Sequence, residues 1–259
     1  VLSGYGLADS YKKDSTLKDY FYKRVSKVLL PYSLVTITWI LIDIILYNKV
    51  YSFKLILAAI LGLDLTRSID PSMWYVTFII QWYIAFYVIF KLPLRNVVKI
   101  FILLCLSYTF DNPVINRFPS LFWQFDLHAY TFPLGIIISL YSSEIIKIIN
   151  INAKVMYNLL NTLFVFLFAL LHPYSELNLY YYSLTNILFS FFTILLVVSL
   201  NLHKHKSKIL IILGNLSYEI YLFEFVFLTK YPILNLFDSK LIAVIVYINI
   251  LTLSSVILK

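Results

Sequence analysis

The chain has 259 residues, of which 61% are apolar and only 13% charged, and its mean hydropathy is +0.85. That charged share is about half the roughly 25% of soluble domains, so too little polar surface remains to clothe a water-soluble body of this size. The net charge of +8 would suit a nucleic-acid binder in a soluble chain, but here the basic residues fall between apolar runs, where they set topology, so nucleic acid is excluded as a partner. One cysteine, Cys105, excludes a disulfide framework or a cysteine-rich zinc site within one chain.

The apolar runs point to an all-α fold, a polytopic transmembrane helix bundle. About 20 helical residues cross a hydrocarbon core of about 30 Å. The opening VLSGYGL reads as the tail of a hydrophobic segment, a partial span over 1–8, and the start at Val1 without a signal-peptide pattern leads us to expect a further piece upstream. The basic stretch 9–28 carries Leu17, Tyr20, Phe21, Val25 and Val28 at helical spacings, which predicts an amphipathic helix on the cytoplasmic face. It can serve as an anchor to anionic lipid or as a surface for a phosphorylated cytosolic molecule. Eight full spans are expected at 29–47, 72–91, 97–110, 125–141, 157–172, 180–200, 209–228 and 240–258. The run FKLILAAILGL at 53–63 is too short to cross and reads as an interfacial or re-entrant helix.

Charge placement supports this order. With 9–28 in the cytoplasm, the inner segments hold fifteen basic residues: Lys12, Lys13, Lys18, Lys23, Arg24, Lys27, Lys91, Arg95, Lys99, Lys147, Lys154, Lys204, Lys206, Lys208 and Lys259. The outer segments hold six: Lys49, Lys54, Arg67, Arg117, Lys230 and Lys240. The asymmetry obeys the positive-inside rule and weakens if 53–63 is made a crossing. Tyr47, Trp74, Tyr141, Tyr180, Tyr181 and Tyr182 lie near span ends, as an aromatic belt requires. No internal repeat or low-complexity linker interrupts a single membrane domain over 1–259.

Polar residues inside spans are costly, about 2.5–3.5 kcal/mol for an acid at the centre, and they mark packing or function. Asp43 sits toward the outer end of its span, where it is expected to reach the interface. Gln81, Asn161, Asn186 and Asn249 are expected to hydrogen-bond between helices. Glu219 and Glu224 share the 209–228 span, and Glu224 is the stronger functional candidate. His203 and His205 lie in the basic loop NLHKHKSK and read as solvated, His172 lies at an outer loop, and His128 stands near Asp126 at a spacing that does not bring the two face to face. No HExxH pattern and no phosphate-binding glycine loop occurs, so no metal is expected.

Several segments resemble the integral-membrane acyltransferase family 3: the opening VLSGYGL, FYKRVSKVLLPY at 21–32, MWYVTFIIQWY at 73–83, FPLGIIIS at 132–139 and LGNLSYEIYLFE at 213–224. The resemblance covers nearly the whole chain and implies a ten-helix membrane domain, so one helix and part of another are expected upstream. It implies an O-acyltransferase that moves an acyl group, commonly acetyl from acetyl-CoA, to a hydroxyl of an envelope or exported polysaccharide, with no bound cofactor. Lys23, Arg24 and Lys27 match the family's basic cluster and are the expected donor-binding residues; Arg24 can fork onto phosphate while lysines act as point charges. Trp74, Gln81, Tyr221 and Glu224 are candidates for the acceptor site or channel. The family's catalytic histidine, with its arginine, lies on a first helix that this sequence does not include, so no catalytic residue is assigned and the chain alone is expected to be inactive. The late motif commonly ends in His where this chain has Glu224, whose carboxylate can accept a hydrogen bond from a sugar hydroxyl. The expected location is the bacterial inner membrane, with the lipid bilayer, acyl-CoA and a glycan as partners. The alternative is a transporter or flippase for a sugar-containing substrate, which the polar residues within spans and the short 53–63 run would suit, though the internal repeat of many carriers is missing. A sensor or scaffold without chemistry is a third class.

Overall fold

A bilayer offers no water to backbone amides, so a chain this apolar closes its hydrogen bonds inside helices. A computed structural model describes residues 1–64, 68–70, 74–111, 125–150, 153–175, 179–202 and 208–259, and no strand occurs among them. In chain order the helices are α1 (Leu2–Lys13), α2 (Tyr20–Tyr47), α3 (Phe53–Ile60), α4 (Trp74–Lys91), α5 (Asn96–Asp111), α6 (Phe125–His128), α7 (Thr131–Leu140), α8 (Ser142–Asn150), α9 (Ala153–Ser175), α10 (Leu179–Leu202), α11 (Lys208–Phe225) and α12 (Lys240–Leu258). A π turn, Val226–Lys230, continues α11, and a 3-10 turn, Ile233–Leu236, precedes α12.

Each expected span falls largely on helix among the described residues. Among the described residues, three helices are long and apolar enough to cross a membrane, Tyr22–Tyr47, Trp74–Lys91 and Lys240–Leu258, against the eight crossings expected; the apolar stretches Asn96–Thr109, Thr131–Leu140, Asn158–Leu170 and Leu184–Leu195 are shorter. The 53–63 run forms only the eight residues of α3, about 12 Å of helix. Ser52 caps its start by accepting from Leu55 N, and Gly62, at φ +70°, turns the chain beyond its end.

Two elements depart from the expected pattern. The amphipathic stretch 9–28 is not one helix: residues 9–13 belong to α1, and α2 starts at Tyr20. Between them the Asp14 carboxylate accepts from both the backbone N and the hydroxyl of Thr16, and Leu17 and Asp19 adopt left-handed backbone. Such local side-chain bonds compete with the helical ladder. The expected span 125–141 is likewise divided, into α6 and α7. Pro133 has no N–H to give the Ala129 carbonyl four residues back, and the Ser107 hydroxyl of α5 supplies that bond at 3.1 Å.

The chain packs as two compact units. The first comprises residues 1–18 and 81–206. In it α1 crosses α7 so closely that a Cβ at Gly4 would overlap the Phe132 carbonyl oxygen, and one at Gly135 would overlap the Val1 carbonyl and lie 2.8 Å from Tyr5 N. In lipid the apolar effect does not drive helices together, so such close approach, with its dispersion contacts, is what holds them. The fully buried rings of Trp82 and Phe132 stack at 5.0 Å, and those of Phe86 and Phe90 at 4.1 Å. Two lysines satisfy carbonyls left open at helix ends. Lys12 donates to Ser139 O in the last turn of α7 at 2.7 Å. Lys99, only 3% exposed, donates to Phe90 O at the end of α4 and to the Tyr11 hydroxyl, with its ammonium over the Tyr11 and Phe90 rings.

The second unit comprises residues 19–80 and 207–259. Its core is Tyr32, Val35, Trp39 and Ile40 of α2 against Ala59, Ile69, Val76, Leu222 and Val226. The Ser33 hydroxyl donates to Ile60 O and the Thr77 hydroxyl to Gly62 O, which pins the C-terminal end of α3 and the turn beyond it. Trp39 meets Phe223, Phe227 and Tyr231 at ring distances of 6.0, 5.6 and 5.4 Å.

Candidate functional site

Lys23, Arg24 and Lys27 occupy the first two turns of α2. At 100° per residue they fall within an arc of about 100° on one face. Lys23 and Lys27 are exposed and Arg24 is half-buried. The exposed ion pair of Lys23 with Asp19, at 3.8 Å, holds Lys23 only weakly. The N-terminal end of the helix dipole adds positive potential at the same place. One residue past Lys27, the Val28 carbonyl accepts a bond from the Tyr218 hydroxyl of α11 at 2.7 Å. From there an aromatic tract runs through Tyr221, stacked on Tyr218 at 6.4 Å, to Tyr75 at 5.2 Å and Trp74 at 5.9 Å. Three segments far apart in sequence, the basic turn, the 218–221 motif and the start of α4, thus meet inside one unit.

Gln81 is half-buried two turns further along α4 and belongs to the other unit. Glu224, one turn past Tyr221, is exposed on α11, while Oε2 of Glu219 is buried without a hydrogen bond among the described residues. Among the described residues the asparagines make no bond between helices, against expectation. Asn249 donates to Ile245 O of its own helix, Asn161 is exposed, and Nδ2 of Asn186 is buried without a partner among the described residues. His128 is half-buried at the end of α6, its carbonyl accepting from the Thr131 hydroxyl. Arg67, Arg117, His203, Lys204, His205 and Lys206 lie outside the described residues. A cleft of about 210 Å³ between α9 and α10, lined by Phe164, Phe168, Phe189 and Phe192 among others, contains none of the sequence-predicted site residues.

Asp43, expected to reach the interface, is wholly buried among partners of its own unit. Lys230 Nζ donates to it at 2.6 Å, the Tyr231 hydroxyl at 2.6 Å and the Tyr51 hydroxyl also, while Lys49 stands 3.5 Å away. The π turn after α11 brings Lys230 and Tyr231 to this position, and Lys230 donates as well to Ile69 O. Asn48, in left-handed backbone, ends α2 and swings Lys49 back so that its N–H reaches the Asp43 carbonyl. Burial, then the Asp43 carboxylate, pushes the Tyr51 and Tyr231 hydroxyls above the usual phenol range. A carboxylate with its lone pairs this fully engaged is a poor base; it ties the end of α2 to the end of α11. Sequence reasoning missed Lys230, Tyr51 and Tyr231. The available signal was that an acid in an apolar run needs a cation, and few basic residues are assigned to the same side.

The same face of α2 carries Tyr32, Thr36 and Trp39 at i, i+4 and i+7, all buried, and their polar atoms make no well-formed hydrogen bond among the described residues. Asp64 and Asp70 of the same unit are also buried.

The family model described as an acyltransferase domain, that of acyltransferase family 3, matches residues 1–259. The chain belongs to this family. No curated protein and no solved structure matches it. With its long apolar helices, this member of acyltransferase family 3 is a membrane acyltransferase. Two of the segments that carried the family resemblance, VLSGYGL and FPLGIIIS, are the two sides of the α1–α7 crossing, each contributing the glycine that permits it.

Proposed function

We propose that the protein is an O-acyltransferase of the bacterial inner membrane that moves an acyl group, acetyl in the first instance, from acyl-CoA to a hydroxyl of a cell-surface or exported polysaccharide. The observation that carries this reading is the cationic face of α2 at the head of an aromatic tract, in a chain matched end to end by the acyltransferase family. Lys23, Arg24 and Lys27 hold the phosphates of the donor, with Arg24 as the forked contact. Trp74, Tyr75 and Tyr221 offer ring faces to the pantetheine chain or to sugar rings, and Gln81 and Glu224 are the polar candidates along the acceptor path. The whole of 1–259 acts as one multi-pass domain whose basic turn faces the cytoplasm.

In the reaction a sugar hydroxyl oxygen attacks the thioester carbonyl. A C–O bond forms, the C–S bond breaks, the hydroxyl proton passes to a base, and coenzyme A leaves as thiolate to be protonated. Donors must hold the developing oxyanion, and a histidine suits the base near neutral pH. Of these roles, the residues named here take binding and positioning.

The test begins with deletion of the gene and measurement of base-labile acetate on the surface glycan, which is expected to fall. Restoring the gene with Lys23→Ala, Arg24→Ala and Lys27→Ala together is expected to raise the KM for acetyl-CoA ~100-fold, at about 1 kcal/mol per lost phosphate contact. Glycan acetylation unchanged by the deletion would refute the reading. Uptake of a sugar-containing substrate by reconstituted vesicles without any acyl donor would mark a transporter instead.

A further inference from the structure

The most apolar spanning helix is also the least covered. Over α12 the mean hydropathy is 2.5 and only 11% of the span is buried. Its covered side, with Ala243 and Ser255 buried and Tyr247 and Leu251 half-buried, packs against the rest of its unit. Within that unit, no described residue covers the opposite side. It presents Ile242, Ile245, Asn249, Thr252 and Val256, all exposed and spaced 3, 4, 3 and 4 residues apart. That is the spacing of a left-handed helix–helix seam, and at 100° per residue the five fall within an arc of about 80°.

Asn249 is the central residue of the nineteen in α12. One of its amide hydrogens goes to Ile245 O at 2.8 Å, and Thr252 likewise turns its hydroxyl back to Ile248 O. The Asn249 side-chain carbonyl has no partner among the described residues. An amide at mid-depth on a bare helix face meets only hydrocarbon, and such a group draws helices together.

We propose that this face of α12 is the interface with a second copy of the chain. The argument for a copy rather than another partner is self-complementarity. Asn carries both donor and acceptor, so two Asn249 side chains can bond reciprocally. A two-fold axis along the membrane normal sets identical residues at identical depth, and the residue at the helix centre is the one whose partner then lies directly opposite. A single polar residue within an otherwise apolar seam fixes register and pairing in the same way in coiled coils. The inference uses only the membrane setting of α12 and is independent of the acyl-transfer reading.

The test is disulfide cross-linking in native membranes, with the full gene carrying Cys105→Ser and one new cysteine. Ile245→Cys is expected to give a species of twice the protein's mass on mild oxidation. Val244→Cys, exposed but turned about 140° away from Asn249 around the helix, is expected to give none. Adding Asn249→Leu to Ile245→Cys should cut the cross-linked fraction about tenfold, and Asn249→Gln should restore most of it. Co-purification of two differently tagged copies from mild detergent gives a second readout should the Leu variant fail to accumulate. The proposal is overturned by an absent Ile245→Cys product, by equal cross-linking at Val244→Cys, by a product containing a different protein, by cross-linking indifferent to Asn249→Leu, or by tagged copies that never co-purify.

Discussion

Asp43→Asn keeps the shape of the side chain and removes its charge, and it tests whether the buried cluster at the end of α2 acts as a unit. The native carboxylate is fully buried and takes Lys230 at 2.6 Å, with Lys230 itself 12% exposed. Asn at this position removes the ammonium's counter-charge and, with one acceptor oxygen left, turns an amide N–H₂ toward groups that are already donors, while Ile69 O still accepts from Lys230. Breaking a buried pair from one side costs about 3–5 kcal/mol. Lys230→Met strands the carboxylate less completely, because both tyrosines and Lys49 remain, and should cost about 2–3 kcal/mol. If the two losses were independent, the double variant would lose about 5–8 kcal/mol. Since each single loss arises chiefly from the orphan left behind, the double variant should cost no more than Asp43→Asn alone, a coupling of about 2–3 kcal/mol. Unfolding of the four proteins in one detergent, followed by thermal and denaturant titration, closes the cycle. At roughly 2–4 °C per kcal/mol, Asp43→Asn should lower the melting midpoint by about 10 °C. Additive losses in the double variant would refute the pairing.

The two phenols of the same cluster predict a pH effect. Tyr51 and Tyr231 ionise above the ordinary value of 10.0 when folded, so the stability they carry is whole below that pH. It is lost as pH rises further, where the unfolded phenols have ionised and the folded ones have not. The double variant Tyr51→Phe, Tyr231→Phe should be less stable at about pH 8 and decline less steeply above about pH 10 in the same titration; an unchanged slope would count against the cluster. At the α1–α7 crossing, Gly135→Ala and Gly4→Ala should each destabilise the first unit by about 1–3 kcal/mol or more, because the new methyl meets backbone that cannot swing aside. Gly6→Ala, where a Cβ meets nothing within 4 Å, should be near neutral; equal losses at all three positions, read as protein retained in membranes after heating, would remove the steric account.

Helix positions were legible because the reason for them is local. Lipid forces each apolar run to satisfy its own amides, so the runs at 29–47, 72–91 and 240–258 declared themselves by length and composition, and the run at 53–63 was too short in any setting. The interruptions were harder to read. Asp14 and Thr16 break the 9–28 helix through bonds that compete only slightly with the ladder, and the division of 125–141 depends on a proline whose orphaned carbonyl is taken by Ser107, 22 residues away in sequence. The basic face at Lys23, Arg24 and Lys27 and the motif at 218–221 were both visible as sequence; that a Tyr218 bond to the Val28 carbonyl joins them was not.

By itself, then, the order of residues decided that this protein is helical and apolar, since those properties follow from each segment's exchange with lipid and water. Tertiary structure decided which charge answers Asp43, because its partner lies 187 residues along the chain and equally plausible lysines stand closer. It also decided what the glycines are for, since a missing Cβ matters only where another backbone arrives.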